Sequence, residues 1–461
     1  MNFSSRHRLC AALLLGCLLA ATGRAQYVED SIDVGGAWVG SLAYNSREDV
    51  LYGASESGVF FAISCDSNKV VKSFPLRYAF AVAYESTDNK AYCSYYNTQT
   101  DDSLLVVDGA THIRIKSIPM EGATTPVWDA VSNRVYVSCQ STNSVAVVDC
   151  ATDSLLTYIP VGACPIKMYL NTLRRKLYVL NFDADAVSIV DMRTNQVIKT
   201  VVVGGTPNAG YYCRNADKFY SGGESRQCIV IGGLSDTIVA RITLSGIDYV
   251  LSATGNEDAG LVYLGTLTGS SDYVATVSAQ NDSVLATTVI GAEPWGLAYF
   301  ERSGLLYCAS AISDEVFVLT SDGAQIRAIL QVGDCPYVFA AVPRHNRLYL
   351  GHLNGPYVHV LRDTSVGVGE TQSSRPGSWG VRVTPNPFSQ SVAVVWNSPA
   401  RGGDAARVYA QDGRLVKQAQ IPAGECRWVW DGRDERGRLV PPGVYVLAAP
   451  GGVRVKAVKL R

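Results

Sequence analysis

Tyr52, Tyr92, Tyr136, Tyr178, Tyr220, Tyr263, Tyr307 and Tyr349 follow one another at spacings of 40, 44, 42, 42, 43, 44 and 42 residues, each inside a short apolar run. A chain that repeats itself at such a period folds as a series of like units, each too small to bury a core alone and dependent on its neighbours for one. The surroundings of each tyrosine repeat as well. "RVYVSCQSTNSVAVVDCATDSLLTYIPVG" (134 to 162), "KLYVLNFDADAVSIVDMRTNQVIKTVVVG" (176 to 204) and "LLYCASAISDEVFVLTSDGAQIRAILQVG" (305 to 333) share one layout.

Each period divides into four strands. Around Tyr178 they are "IKMYL" (166 to 170), "KLYVL" (176 to 180), "AVSIVD" (186 to 191) and "QVIKTVVV" (196 to 203), rich in Val, Ile and Tyr and separated by polar turns. Continuously apolar runs suit sheets covered on both faces. Asp149 in "VDCATDS" and Asp191 in "VDMRTNQ" are turn formers, their short carboxylates bonding the local backbone. The pattern V/I-G-x-x-P links one period to the next at "VGACP", "VGGTP", "IGAEP" and "VGDCP", where Gly allows an unusual turn and Pro165, Pro207, Pro294 and Pro336 open the next strand.

Periods of four short strands predict an all-β fold, a β-propeller of eight four-stranded blades. "QYVEDSIDVGG" (26 to 36) reads as a fourth strand lacking its first three, and the period of Tyr349 has only three, so the N-terminal strand is expected to complete the last blade. These units, with "RVYV", "KLYV", "SVAVVD" and "VGGTP", resemble the YVTN-type propeller repeats of bacterial and archaeal surface proteins and of lactonase-like propellers, from residue 26 to about 362. Known members of that family are commonly seven-bladed, which keeps seven as the alternative count.

The ends of the chain are differently made. Arg6 and Arg8, the apolar run "LCAALLLGCLLAA" and the small residues Gly23 and Ala25 read as a signal peptide over 1–25, and so as export to the cell surface or beyond. Residues 363–378 are Ser- and Gly-rich and read as a linker. Residues 26–374 hold 23 Lys and Arg against 35 Asp and Glu, a formal −12, whereas residues 375–461 hold 14 against 6, a formal +8. An acidic body argues against nucleic acid as partner.

Residues 379–461 present seven short strand-like runs, a small antiparallel sandwich. Pro385, Asn386, Pro387, the Asp412-Gly413 hairpin, Trp430, Asp431, Gly432, Gly443 and Tyr445, with the basic "KAVKL" near the end, resemble the C-terminal Ig-like sorting domain of type IX secretion substrates and the related flagellar hook-cap module. That resemblance implies the secretion machinery and the cell envelope as partners. The same residues also serve a plain Ig-like module as rigid turns and aromatic core.

Enzyme signals are sparse. The chain past the leader has four histidines, His112, His345, His352 and His359, and no G-x-S-x-G, H-E-x-x-H, C-x-x-C-H or Walker pattern. No catalytic residue and no cofactor is assigned. His352 and His359 face each other in a hairpin and are weak metal candidates lacking a third ligand. The acidic tips "NFDADAV" and "NEDAG" lack the calcium-loop ladder. Ten cysteines follow the leader without a C-x-x-C pair and read as small buried hydrophobes.

The remaining constellation is aromatic. Trp38, Tyr78, Trp295 and Tyr337 fall near the start of the first strand in four consecutive blades and would cluster at one mouth of a central funnel. Three readings follow: a surface-exposed scaffold for a protein or glycan ligand, a lactonase-like hydrolase using funnel carboxylates such as Glu293 or Asp334, and a structural surface-layer-type protein.

Overall fold

The computed structural model describes residues 25–96, 102–268 and 271–365, and beyond them 381–384, 388, 390–396, 404–410, 414–422, 424–425, 427–448 and 454–459. The chain divides into two compact units, Met1–Gly369 and Glu370–Arg461. Both are built from β-strands.

The first unit holds eight four-stranded antiparallel sheets. Seven are formed by consecutive strands, within residues 39–75, 79–119, 123–160, 165–202, 207–243, 247–289 and 294–331. The fourth is typical: Pro165–Asn171, Lys176–Asn181, Ala186–Asp191 and Gln196–Val202, each paired with the next. The eighth is composite. Strand β30 (Pro336–Val342), β31 (Arg347–His352) and β32 (Tyr357–Asp363) supply three members, and β1 (Gln26–Asp33) pairs antiparallel with β32 as the fourth.

The first strand of each sheet packs against the first strand of the next, and that of sheet 8 packs against that of sheet 1. The apolar core follows this order. Instead of one central core there are eight, each shared by the facing sides of two successive sheets. One of them joins Ala340, Tyr349 and Val358 of sheet 8 to Val39, Leu51 and Phe61 of sheet 1. This explains the continuously apolar second and third strands: both of their faces are covered.

The eight repeat tyrosines are all fully buried, and most of their hydroxyls reach the next sheet. Tyr92 donates to Asp153 at 2.7 Å, Tyr136 to Asn195 at 3.0 Å, Tyr220 to Asp282 at 2.8 Å, Tyr307 to Asp363 at 2.7 Å and Tyr349 to Asn68 at 2.7 Å. Tyr52 meets His112 Nδ1 at 3.0 Å, and Tyr263 donates to the carbonyl of Ser321. Tyr178 instead accepts from Asn171 of its own sheet. Lysines reinforce the latch: Lys90 with Asp153, Lys176 with Asp236 and Lys218 with Asp282, at 2.7 to 2.9 Å. The turn aspartates Asp149 and Asp191 bond the backbone N–H groups of Thr152 and Arg193.

The second unit has two antiparallel sheets, of three strands (Val381–Thr384, Val392–Trp396, Arg427–Trp430) and four (Ala405–Ala410, Leu415–Gln420, Gly443–Ala448, Arg454–Lys459). One core joins them, with Phe388, Val392 and Trp430 from one side and Val408, Tyr445 and Leu447 from the other. The nine cysteines among the described residues are free thiols, eight of them buried.

Candidate functional site

The connections into the eight first strands share a backbone device. The residue just before the strand has positive φ in every case: Trp38 (61°), Tyr78 (49°), Gly122 (71°), Cys164 (57°), Thr206 (39°), Gly246 (71°), Glu293 (59°) and Cys335 (57°). In four of them a side chain from the preceding sheet caps this residue's N–H: Asn143 to Cys164, Asp185 to Thr206, Asp272 to Glu293 and Asp314 to Cys335, at 2.7 to 2.9 Å. The left-handed turn thus falls on the residue preceding Pro165, Pro207, Pro294 and Pro336, whereas of the motif glycines only Gly204 and Gly333 have positive φ, and side-chain caps hold the turn there.

A register shift follows in all eight first strands, one or two residues after their start. A bulged residue is unpaired in the ladder, and bulges re-aim side chains. Trp295 and Tyr337 occupy this bulge, as does Phe80, whereas Trp38 and Tyr78 occupy the left-handed position two residues earlier. The four aromatics therefore belong to two structural classes, which their common nearness to a strand start conceals.

The structure brings Trp295 and Tyr337 together, with ring centroids 6.0 Å apart, both half-buried. The indole of Trp295 donates to Glu293 Oε2 at 2.9 Å, which fixes its edge. Tyr78 is 40% exposed and stacks at 4.6 Å on Tyr96, which also meets Phe80 at 5.3 Å, and the Arg77 guanidinium lies 5.6 Å from the Tyr78 ring. Trp38, 50% exposed, contacts no other ring among the described residues. Its N–H donates to the carbonyl of Leu353 and its carbonyl accepts from Glu56.

Glu56 belongs to sheet 1, whose first strand packs between those of sheets 8 and 2. Its carboxylate lies near the bare backbone of Gly40, where an added Cβ would stand 4.0 Å from Oε1 and 3.8 Å from the Phe80 carbonyl. Burial pushes the Glu56 carboxyl above its usual range, and its charge in turn adds to the burial that raises the Tyr337 hydroxyl. Phe80 and Tyr96 join the Tyr78 stack, and Glu56 lies near Gly40 and Phe80, three residues that the repeat alignment did not single out. In the first strand of sheet 4, Lys167 is half-buried with its ammonium pKa lowered by burial.

The other assignments separate. His352 and His359 lie at the β31–β32 hairpin, but His359 Nδ1 and His352 Nε2 are hydrogen-bonded at 2.7 Å, so these nitrogens engage each other instead of flanking an ion. No group of three or more metal-ligating side chains occurs among the described residues. One carboxylate of each acidic tip is in structural use: Asp185 caps Thr206, and Glu257 accepts from Tyr211, Arg214 and Asn215. Asp334 acts electrostatically on His359.

In the second unit Trp430 is the centre of the core, edge-on to Phe388 at 5.6 Å and Tyr445 at 5.1 Å, with its indole donating to the Arg433 carbonyl at 2.8 Å. Asp431 accepts from Arg433 N–H, Gly432 turns with φ 66°, and Gly443 opens the strand that carries Tyr445. Pro385, Asn386, Pro387, Asp412 and Gly413 lie outside the described residues. A cleft of about 290 Å³ is bordered by Arg414, Asp434, Arg438 and Tyr445.

No protein-family model matches the chain, and no curated protein matches its sequence. Among solved structures it is similar to the crystal structure of the computationally designed Ika8 protein, 14% identical, covering 71% of this chain and 98% of that one with a TM-score of 0.57. At that identity the likeness is one of fold alone: an all-β repeat protein of four-stranded antiparallel sheets.

Proposed function

We propose that residues 26–363 form a closed eight-bladed β-propeller of the YVTN type that binds a glycan or a peptide at an aromatic mouth. The C-terminal unit is read as an Ig-like sorting module that passes the protein through the type IX machinery and attaches it to the cell envelope, after the 1–25 leader has directed export. Eight sheets in cyclic contact and the shared inter-sheet cores support the propeller reading. The basic balance of the C-terminal unit and its Trp430–Tyr445 core are compatible with the sorting reading.

The observation that carries the binding role is the pairing of Trp295 with Tyr337 beside the Glu293 carboxylate, together with the Tyr78–Tyr96–Phe80 stack of sheet 2. Rings offered beside a carboxylate suit the apolar faces and hydroxyls of a sugar, or the side chains of a peptide. The test is titration of the mature chain with soluble oligosaccharides and with cell-envelope fractions, beside Trp295→Ala. Saturable binding that the folded variant loses supports the role; equal binding by both moves the ligand elsewhere.

A further inference from the structure

We infer that Ser31, His359 and His352 form a serine nucleophile relay able to accept an acyl group from carboxylic esters. The three residues stand on adjacent strands. Ser31 of β1 is directly opposite His359 of β32, with Oγ and Nε2 3.4 Å apart, and His359 Nδ1 meets His352 Nε2, at the end of β31, at 2.7 Å. Exposure falls along the row: Ser31 is exposed, His359 half-buried and His352 fully buried. A nucleophile in reach of substrate, a base beside it and a third group orienting the base is the arrangement that activates a hydroxyl. A separation of 3.4 Å is within the looser range of sites without substrate.

One set of tautomers serves the relay. For His359 Nε2 to accept the Ser31 proton, Nδ1 must carry hydrogen and donate to His352 Nε2, which places the His352 proton on Nδ1. That buried nitrogen has no hydrogen-bond partner among the described residues. Burial lowers both imidazoles, His352 to about 4, so both are neutral near pH 7, as a base and its acceptor must be. Asp334 favours the imidazolium that His359 becomes when it takes the proton.

The step balances without a co-reactant beyond water. Ser31 Oγ bonds to the acyl carbon as its proton passes to His359 Nε2. The ester C–O bond breaks, the proton goes to the leaving alkoxide, and water repeats the sequence to release the acid. The relay uses none of Trp38, Tyr78, Trp295 and Tyr337, and its test is independent of theirs.

The mature full-length chain is treated with a fluorophosphonate probe, the adduct is located by mass spectrometry, and p-nitrophenyl acetate hydrolysis is followed. An adduct on Ser31 is expected, with Ser31→Ala and His359→Gln losing at least about 100-fold in hydrolysis. Ser31 is exposed, so Ser31→Ala is expected to melt with the wild type. His352 is a positioning residue: His352→Gln, whose amide oxygen can still accept from His359, should retain labelling that His352→Phe loses. No adduct on Ser31, hydrolysis unchanged in Ser31→Ala, or labelling unchanged in a folded His352→Phe would each overturn the relay.

Discussion

The hydroxyl of Tyr349, in the last sheet, donates to Oδ1 of Asn68, in the first, at 2.7 Å, so residues 281 apart in sequence share one partly buried latch. Its counterparts join neighbouring sheets at separations of 56 to 62 residues. The same bond therefore works once across nearly the whole unit. Tyr349→Phe keeps the ring and removes the donor, leaving Asn68 short of a partner. The expected loss is about 1–3 kcal/mol in urea unfolding, by the cost of stranding a buried polar group. A loss no larger than that of an exposed control such as Tyr357→Phe would show that the latch contributes nothing.

The N-terminal strand has its own clamp. Glu29 stands at the register shift of β1 and receives Arg347 at 2.6 Å and Arg362 at 3.1 Å. The hydrogen bond from Arg347 holds the Glu29 carboxyl below the ordinary range, against the opposing pull of burial. A carboxyl with a depressed folded pKa contributes stability above its unfolded value, about 4.3, and that contribution is lost as pH falls through the folded value. Glu29→Gln is expected to cost about 1–3 kcal/mol near neutral pH, and the two unfolding curves converge as acidification passes the folded value. A gap that persists unchanged in acid would assign the effect to packing.

The fold was legible where one residue type does one job in every copy. Each repeat tyrosine is fully buried at the same place in its sheet, so the period survives in copies whose other residues have drifted, such as those of Tyr220 and Tyr263. Asp149 and Asp191 were legible because their partners lie within three residues. The site was less so. A bulge leaves no trace in an apolar pattern when the bulged residue is Gly40 in one copy, Asn208 in another and Trp295 in a third. Ser31 and His359 are 328 residues apart, and only the pairing of β1 with β32 makes them neighbours.

Gly296 is the residue that lets sheet 7 approach sheet 8 beneath the Trp295–Tyr337 pair. A Cβ there would stand 2.3 Å from the Tyr337 carbonyl oxygen, a backbone atom that moves only with its strand. Gly296→Ala is expected to destabilise by about 1–3 kcal/mol, as overpacking does, and to part the two rings. Chemical denaturation and the near-ultraviolet circular dichroism of the tryptophan check both effects. An unaltered spectrum with full stability would mean that the strand yields without disturbing the rings.

Glu56 offers a separate test of the binding role proposed for the aromatic residues. Burial raises its carboxyl. A raised folded pKa means that the charged form is the less comfortable one in the folded state. Its stability contribution is full below the unfolded value of about 4.3 and is lost as pH rises through the folded one. Glu56→Gln is thus expected to raise the melting temperature near neutral pH by about 1–2 °C and to match the wild type at about pH 3.5. Functional sites commonly hold groups at the expense of stability, so the proposed binding role predicts that Glu56 also serves the ligand. The same variant should then bind the ligand of the Trp295–Tyr337 pair more weakly. Stabilisation together with undiminished binding would mean that Glu56 meets no ligand.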